Sequence, residues 1–269
     1  MTRNIKMKKY LVIGNPIDHS LSPKLHNYWL KKYNIDGNYE KKKLNEMDLK
    51  DIILQIKEKK IDGINVTVPF KKKVIPYLNN LSIEAEKTQS VNTVYLNNGN
   101  VIGHNTDIFG FEKAIIDTNF NLSGKKILIL GAGGVVSSLI FALKKKNVKS
   151  ILISNRTKEK AESLNHSFKD LTIVNWGEIP DFDMVINATS VGLGLDDRID
   201  LDFSKVGGGK FFYDVIYTPA ETSFLKKGHN LNNKTENGKK MFIYQAAAAF
   251  KVWHGIEPTI NNDLIKILG

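Results

Sequence analysis

The chain has 269 residues, of which 42% are hydrophobic and 25% charged, and a formal net charge of +11. That composition belongs to a folded globular protein, long enough for one large domain or two smaller ones. The absence of cysteine excludes a disulfide framework, a thiolate nucleophile and any Cys-ligated metal centre.

Positive charge raises nucleic acid as a partner, but here it is spread along the chain. Residues 1–107 hold 18 Lys+Arg against 11 Asp+Glu (+7), and residues 108–269 hold 21 against 17 (+4). Arg3, Arg156 and Arg198 are the only arginines. Bidentate reading of bases and phosphates depends on arginine, so nucleic acid is not an expected partner. Lys41–Lys43 and Lys144–Lys146 read as solvated faces. The apolar runs Ile127–Leu130 and Ala246–Phe250 fall far short of the roughly 20 residues of a membrane span. Tyr10–Ile13, behind the basic Met1–Lys9, is too short for a secretory core. A cytoplasmic protein is expected, with Met1 and Met7 both standing as translation starts.

In chain order, Tyr10–Ile13 predicts a strand, Ser22–Lys32 a helix entered through Pro23, and Asn38–Leu44 a second strand. Leu49, Ile52, Ile53 and Ile56 repeat at helical spacing and predict a helix over about Asp48–Lys59. Gly63–Val68 is the next strand, and Val91–Leu96 with Val101–His104 reads as a hairpin turning at Asn97–Asn100. A connecting helix is expected around Gly110–Asp117. Beyond it, Lys126–Leu130 is a bare apolar run suited to a buried parallel strand, followed by Gly131-Ala132-Gly133-Gly134 and a helix to about Lys145. Ser150–Ser154, Asp183–Asn187 and Lys210–Val215 are further strands, and Gln245–Phe250 and Asn262–Leu268 are helical. Strands alternating with helices predict an α/β fold. The expected organisation is an N-terminal α/β substrate domain (1–107), a Rossmann-type doubly wound domain (108–238), and C-terminal helices (239–269) packing back on the first domain.

Four polar segments in the first part stand out. In Asn15–Pro23, Ser20 and Ser22 beside a helix start serve either as N-caps or as a cradle for a carboxylate. In Asn65–Lys71, strand alternation puts Asn65 and Thr67 on one face, while Lys71 heads a lysine run that could merely solvate a helix. Asn92 interrupts an apolar strand. Asp107 closes Gly103–Asp107 at a strand-to-helix junction, where it could simply cap the helix. Together the four suggest a pocket for a polyol.

The glycine turn lets backbone approach a pyrophosphate at a helix N-terminus, with Gly131, Ala132, Gly133, Gly134 and Val135 as its residues. The sixth position of that fingerprint, which takes Gly or Ala, holds Val136. The next strand ends in Asn155-Arg156-Thr157 rather than in an acidic residue for a ribose 2′-hydroxyl. A guanidinium there suits a 2′-phosphate, with Lys160 a turn further on, so NADP is the expected cofactor.

The segments Asn15–Pro23, Asn65–Lys71, Val91–Thr93, Asn105–Asp107, Gly131–Gly134, Asn155–Thr157 and Gln245–Ala247 resemble those of the shikimate dehydrogenase family, in order and over nearly the whole chain. The resemblance implies NADPH-dependent reduction of 3-dehydroshikimate to shikimate in aromatic amino-acid biosynthesis. It implies that Ser20 and Ser22 bind the substrate carboxylate, that Asn65, Thr67, Asn92, Tyr217 and Gln245 hold the substrate, and that Lys71 and Asp107 flank the reacting oxygen. Val215, where relatives often carry methionine, and Gly238 would contact the cofactor. Partners are then the small-molecule substrate and cofactor, with the chain a monomer or homodimer. Two other readings stand beside it: a quinate/shikimate dehydrogenase using NAD, and a non-catalytic sensor of a nucleotide or anion. The six histidines lack metal-ligand spacing; no metal is expected, and His19 and His254 read as structural.

Overall fold

The computed structural model describes residues 7–194 and 196–269. Arg3 and a start at Met1 therefore lie outside the described residues. By its contacts the chain divides into two units, the first reaching to Phe109 and including Ile243–Gly269, the second being Gly110–Phe242.

The first unit runs β1 (Lys8–Gly14), α1 (Ser22–Lys32), β2 (Gly37–Lys43), α2 (Leu49–Lys57), β3 (Gly63–Val66), β4 (Asn80–Leu81), α3 (Ile83–Thr88), β5 (Thr93–Asn97) and β6 (Asn100–His104). Its sheet has the order β2-β1-β3-β5-β6-β4. β1 pairs in parallel with β2 and β3, whereas β5 pairs antiparallel with β3 and β6. The hairpin turns at Asn98 and Gly99, with φ of 48° and 80°, the left-handed conformations that a two-residue hairpin requires.

β1 is buried on both faces, so it shows no alternation. Leu11 and Ile13 join a core with Ile52, Ile53 and Ile56 of α2. Each side chain so buried is worth roughly 2 kcal/mol. α2 stops at Lys57, short of the expected Lys59, because Lys59 takes a left-handed φ of 58°. β3 ends at Val66 rather than Val68. Thr67 N–H still donates to Ile13 O at 2.9 Å and Asn15 N–H to Val68 O at 3.0 Å, after which Pro69 stops the ladder.

The second unit follows α4 (Asp107–Ile116) with β7 (Lys126–Leu130), α5 (Val136–Lys145), β8 (Ser150–Ser154), α6 (Lys158–Phe168), β9 (Leu171–Val174), β10 (Met184–Asn187), β11 (Phe211–Asp214), α7 (Ser223–Asn230) and β12 (Lys234–Glu236). The order β12-β11-β10-β7-β8-β9 is parallel throughout. Counted from β7 this is 3-2-1-4-5-6 read backwards, the doubly wound Rossmann arrangement, and its switch point lies between β7 and β10. Leu128, Leu130, Val185, Phe212 and Phe224 fill one face of that sheet.

The chain closes with α8 (Lys239–His254) and α9 (Asn262–Leu268). The division between units cuts α4 after Phe109 and α8 after Phe242. Within the first unit, Trp253 Nε1 donates to Val94 O at 3.3 Å and its ring stacks on Tyr10 at 4.9 Å. Among the described residues no helix is long and apolar enough to cross a membrane.

Candidate active site

Three of the four polar segments of the first unit, those of Asn65–Lys71, Asn92 and Gly103–Asp107, converge on Asp107, the first residue of α4. Its carboxylate does not cap that helix. Asn105 Oδ1 accepts the Asp107 N–H at 3.0 Å, while Asp107 Oδ2 meets Lys71 Nζ at 2.5 Å and Oδ1 accepts from Asn92 Nδ2 at 2.9 Å. Asn105 is itself latched by Nδ2 donating to Thr88 Oγ1 and Ser90 O, each at 3.0 Å. Lys71 and Asp107 are only 9% and 5% exposed, whereas Lys72 and Lys73 are exposed. Lys71 is thus no part of a solvated run. Removing either partner of such a pair strands a buried charge.

Asn92 organises this pair. Its Nδ2 also donates to Thr106 Oγ1 at 2.9 Å and reaches Gln245 Oε1, on α8, at 3.3 Å. Its Oδ1 accepts from Thr106 N–H at 2.8 Å and from Thr93 Oγ1 at 3.1 Å. Asn65, on β3, joins from the other side. Its Nδ2 donates to Asn92 O at 3.0 Å and Thr93 Oγ1 at 3.1 Å, and its Oδ1 accepts from Tyr39 Oη–H at 2.7 Å. Five expected site residues (Lys71, Asp107, Asn92, Gln245 and Asn65) therefore share one hydrogen-bonded network. Thr93, Thr106 and Tyr39 belong to it too, and sequence reasoning passed over them. Tyr39 carried one signal, a lone aromatic in a polar edge strand.

Ser20 and Ser22 sit at the start of α1. The cap position there is Leu21, without a side-chain cap bond, so neither serine is the conventional N-cap. Ser20 Oγ instead accepts from Ser22 N–H at 3.3 Å, which draws both hydroxyl-bearing residues to the helix N-terminus. Thr67 is half-buried in the turn after β3, and its methyl group occupies the space that a Cβ on Gly14 would need. His19 is exposed, which corrects its reading as a structural histidine. His254 does lie in the aromatic cluster, its ring 4.2 Å from that of Phe250, and burial lowers its pKa to about 4.

In the second unit, Gly131 has a φ of +107°, and a Cβ there would lie 2.9 Å from Ala188 O. Its N–H donates to Ser154 O at 2.8 Å, so the turn threads tightly between the ends of β7, β8 and β10. Ala132 and Val135 are half-buried, and Gly133 and Gly134 present exposed backbone. α5 begins at the buried Val136 behind Val135, which supplies no side-chain cap. At the end of β8, Asn155 Nδ2 donates to Thr157 O at 2.6 Å, and Arg156, Thr157 and Lys160 are exposed. This set fits a pyrophosphate on the turn and a 2′-phosphate beside the guanidinium.

β11 ends in Asp214, which is fully buried. It accepts from Thr222 Oγ1 at 2.6 Å, Ile216 N–H at 3.0 Å and Asn187 Nδ2 at 3.0 Å. Burial nonetheless pushes its pKa up to about 6. This clamp fixes the loop that carries Val215 and Tyr217. Tyr217 stacks on Phe242 at 4.5 Å. Gly238 N–H donates to Ile216 O at 3.0 Å, and a Cβ on Gly238 would run into the Val215 carbonyl, so glycine is required there by close backbone approach.

Residues 12–94 match the family described as "Shikimate dehydrogenase substrate binding domain", and residues 113–195 match "Shikimate / quinate 5-dehydrogenase". The chain is 54% identical over 261 residues to a shikimate dehydrogenase (NADP(+)) of Pelagibacter ubique, covering 97% of this chain and 98% of that protein. It is similar in structure to a shikimate dehydrogenase solved with NADP+, at 34% identity and a TM-score of 0.90, covering 98% of this chain and 94% of that one. A Thermus thermophilus shikimate 5-dehydrogenase in complex with NADP(H) and shikimate is similar at 29% identity and a TM-score of 0.88, covering 97% of this chain and 98% of that one.

Proposed function

The chain belongs to the shikimate dehydrogenase family, and from that premise we propose how its own residues carry the reaction. It is an NADP-dependent oxidoreductase that interconverts 3-dehydroshikimate and shikimate, a step of aromatic biosynthesis. The observation that carries the mechanism is the buried Lys71–Asp107 pair, 2.5 Å apart and held from behind by Asn92.

When bound, the cofactor supplies the hydride. Lys71 Nζ donates a proton to the reacting oxygen and stabilises its developing negative charge. Asp107 keeps the ammonium in place and accepts from a neighbouring hydroxyl of the substrate. A low-dielectric surrounding strengthens both interactions, because the pair is nearly closed to water. Ser20 and Ser22, at the α1 N-terminus, receive the substrate carboxylate, where hydroxyls and the helix dipole both favour an anion. Asn65, Thr67, Asn92, Gln245 and Tyr217 hold the rest of the substrate.

Gly131–Val135 would hold the cofactor's pyrophosphate, and Asn155, Arg156, Thr157 and Lys160 its 2′-phosphate. Val215, on the loop that Asp214 clamps, would face its nicotinamide end, and Gly238, bonded to that loop through Ile216 O, would contact the cofactor beside it. A cytoplasmic setting, and a monomer or homodimer acting on free small molecules, go with this proposal.

The test is absorbance at the reduced-nicotinamide band, with shikimate or quinate paired with NADP or NAD. Reduction with shikimate and NADP, and little in the other three pairings, is expected. Equal rates with quinate or NAD would move the substrate and cofactor assignment to the broader dehydrogenase class. Silence in all four from folded protein would leave a binding protein without turnover.

A further inference from the structure

Tyr39 lies on β2, an edge strand that otherwise carries glycine, asparagine, glutamate and three lysines. A tyrosine ring there needs only a hydrophobic neighbour to be buried. The structure gives it far more. Helix α1 reaches across with two consecutive residues. Asn27 accepts the Tyr39 N–H on its Oδ1 and donates from Nδ2 to the Tyr39 carbonyl, both at 2.8 Å. His26 lies flat against the Tyr39 ring, with centroids 4.3 Å apart and planes 3° from parallel. Among the described residues neither nitrogen of His26 has a hydrogen-bond partner, and burial keeps the ring neutral, with its pKa lowered to about 3. Burying an imidazole with unpaired nitrogens carries a desolvation cost, which ring contacts with Tyr39, Trp29 and Trp253 offset.

The tyrosine so fixed sends its hydroxyl to Asn65 Oδ1, in a buried bond of 2.7 Å. Asn65 Nδ2 has two hydrogens, which go to Asn92 O and Thr93 Oγ1. The Asn92 carbonyl can only accept, so an amide flip would set two acceptors against each other. With both donors spent and one lone pair taken by Tyr39, the Asn65 side chain can offer a substrate only a single acceptor. That reads a hydroxyl and rejects a carbonyl or ether oxygen at the same place.

We propose that Tyr39 is a positioning residue that pins the Asn65 carbonyl oxygen relative to α1, so that Asn65 acts as a one-acceptor reader of a substrate hydroxyl. α1 carries the serines of the carboxylate cradle at its N-terminus and holds Tyr39 through Asn27 and His26. Tyr39 therefore fixes the distance between the carboxylate-binding end and the hydroxyl-reading end of the site. The inference rests on the assignment of Asn65 as a substrate-facing residue.

The experiment is steady-state kinetics of Tyr39→Phe, Asn65→Ala and the double variant, with thermal unfolding of each. The Phe ring keeps the stack on His26 and the backbone clamp from Asn27, so only the hydroxyl is lost. The expected result is a KM for shikimate raised about tenfold, the scale of one buried hydrogen bond, with kcat less affected. KM for NADP stays within about twofold, and Tyr39→Phe added to Asn65→Ala changes shikimate KM by less than about twofold. Four results overturn the proposal. One is a silent Tyr39→Phe beside an impaired Asn65→Ala, which leaves the site assignment standing. The second is a double variant whose effects multiply, and the third is KM values for both substrates rising together with a lowered melting temperature. The fourth is a silent Asn65→Ala, which removes the site assignment of Asn65 and the role of Tyr39 with it.

Discussion

Asn92 Nδ2 stands 2.9 Å from Oδ1 of Asp107, the oxygen opposite the one that Lys71 takes at 2.5 Å. The carboxylate is therefore held at both ends, and its plane is set before any substrate arrives. Such preorganisation lets an acid/base pair act without reorganising at the moment of reaction. Asn92→Ala should lower kcat about 30-fold, the scale of one hydrogen bond to a charged group. Asn92→Asp, which adds a second carboxylate beside Asp107, should lower it further. Steady-state kinetics of the two variants at saturating cofactor checks the order.

Arg156 is exposed at the end of β8, where no carboxylate lies between Ser154 and Thr157. Arg156→Ala should raise KM for NADP by about tenfold or more, as expected for loss of a charge-assisted contact to phosphate. KM for NAD should change by less than about twofold. Equal effects on both cofactors would remove the guanidinium from the 2′-phosphate.

Much of this organisation shows locally in the chain. The bare apolar strands of the second unit, the glycine turn after β7 and the Asn98–Gly99 hairpin are set by neighbours in sequence, and they form where their residue types predict. The short edge strands β4, β9 and β12 were not expected. Lys234–Glu236 of β12 is wholly polar and pairs on one side only, with β11, so burial leaves little mark on its pattern. The site divides in the same way. Asn92 and Asn65 are polar residues in apolar strands and so they stand out, whereas Lys71 in its lysine run and Asp107 at a helix start gain weight only from the segments around them. Tyr39, His26, Thr106 and Asp214 owe their surroundings to residues on other elements. Tyr39 meets Asn65 across 26 positions and Asn187 meets Asp214 across 27, and no local pattern encodes such pairings.

Gly131 and Gly177 separate two costs of replacing glycine. Both have positive φ, +107° and +104°, but a Cβ on Gly177 meets nothing within 4 Å, whereas on Gly131 it meets Ala188 O at 2.9 Å. Gly177→Ala should cost about 1 kcal/mol of backbone strain. Gly131→Ala should cost about 3 kcal/mol and raise KM for NADP as well. Urea unfolding of the two variants measures the difference.

His26 predicts a pH dependence with a definite sign. Burial lowers its pKa from 6.5 to about 3, so the folded chain keeps it neutral while the unfolded chain protonates it below 6.5. Its contribution is fully present above pH 6.5 and is lost as pH falls towards 3, at about 1.4 kcal/mol per pH unit. His254, lowered to about 4, acts in the same direction. Asp214 acts oppositely: raised from 3.8 to about 6, it favours folding at low pH and loses that contribution as pH rises through 6. His26→Phe keeps an aromatic plate against Tyr39 but cannot titrate. Between pH 7 and pH 5 it should lose roughly 2 kcal/mol less stability than the parent, as measured by urea unfolding at the two pH values.

In the proposed reaction Lys71 acts on the reacting oxygen from its buried place beside Asp107. The most direct measurement is kcat of Lys71→Ala, with the shikimate dissociation constant of the same folded protein taken by calorimetry. A fall in kcat of at least about a hundredfold is predicted, the range of general acid–base catalysis, with binding weakened less than about fivefold. Turnover near that of the parent would contradict the account and take Lys71 out of the mechanism.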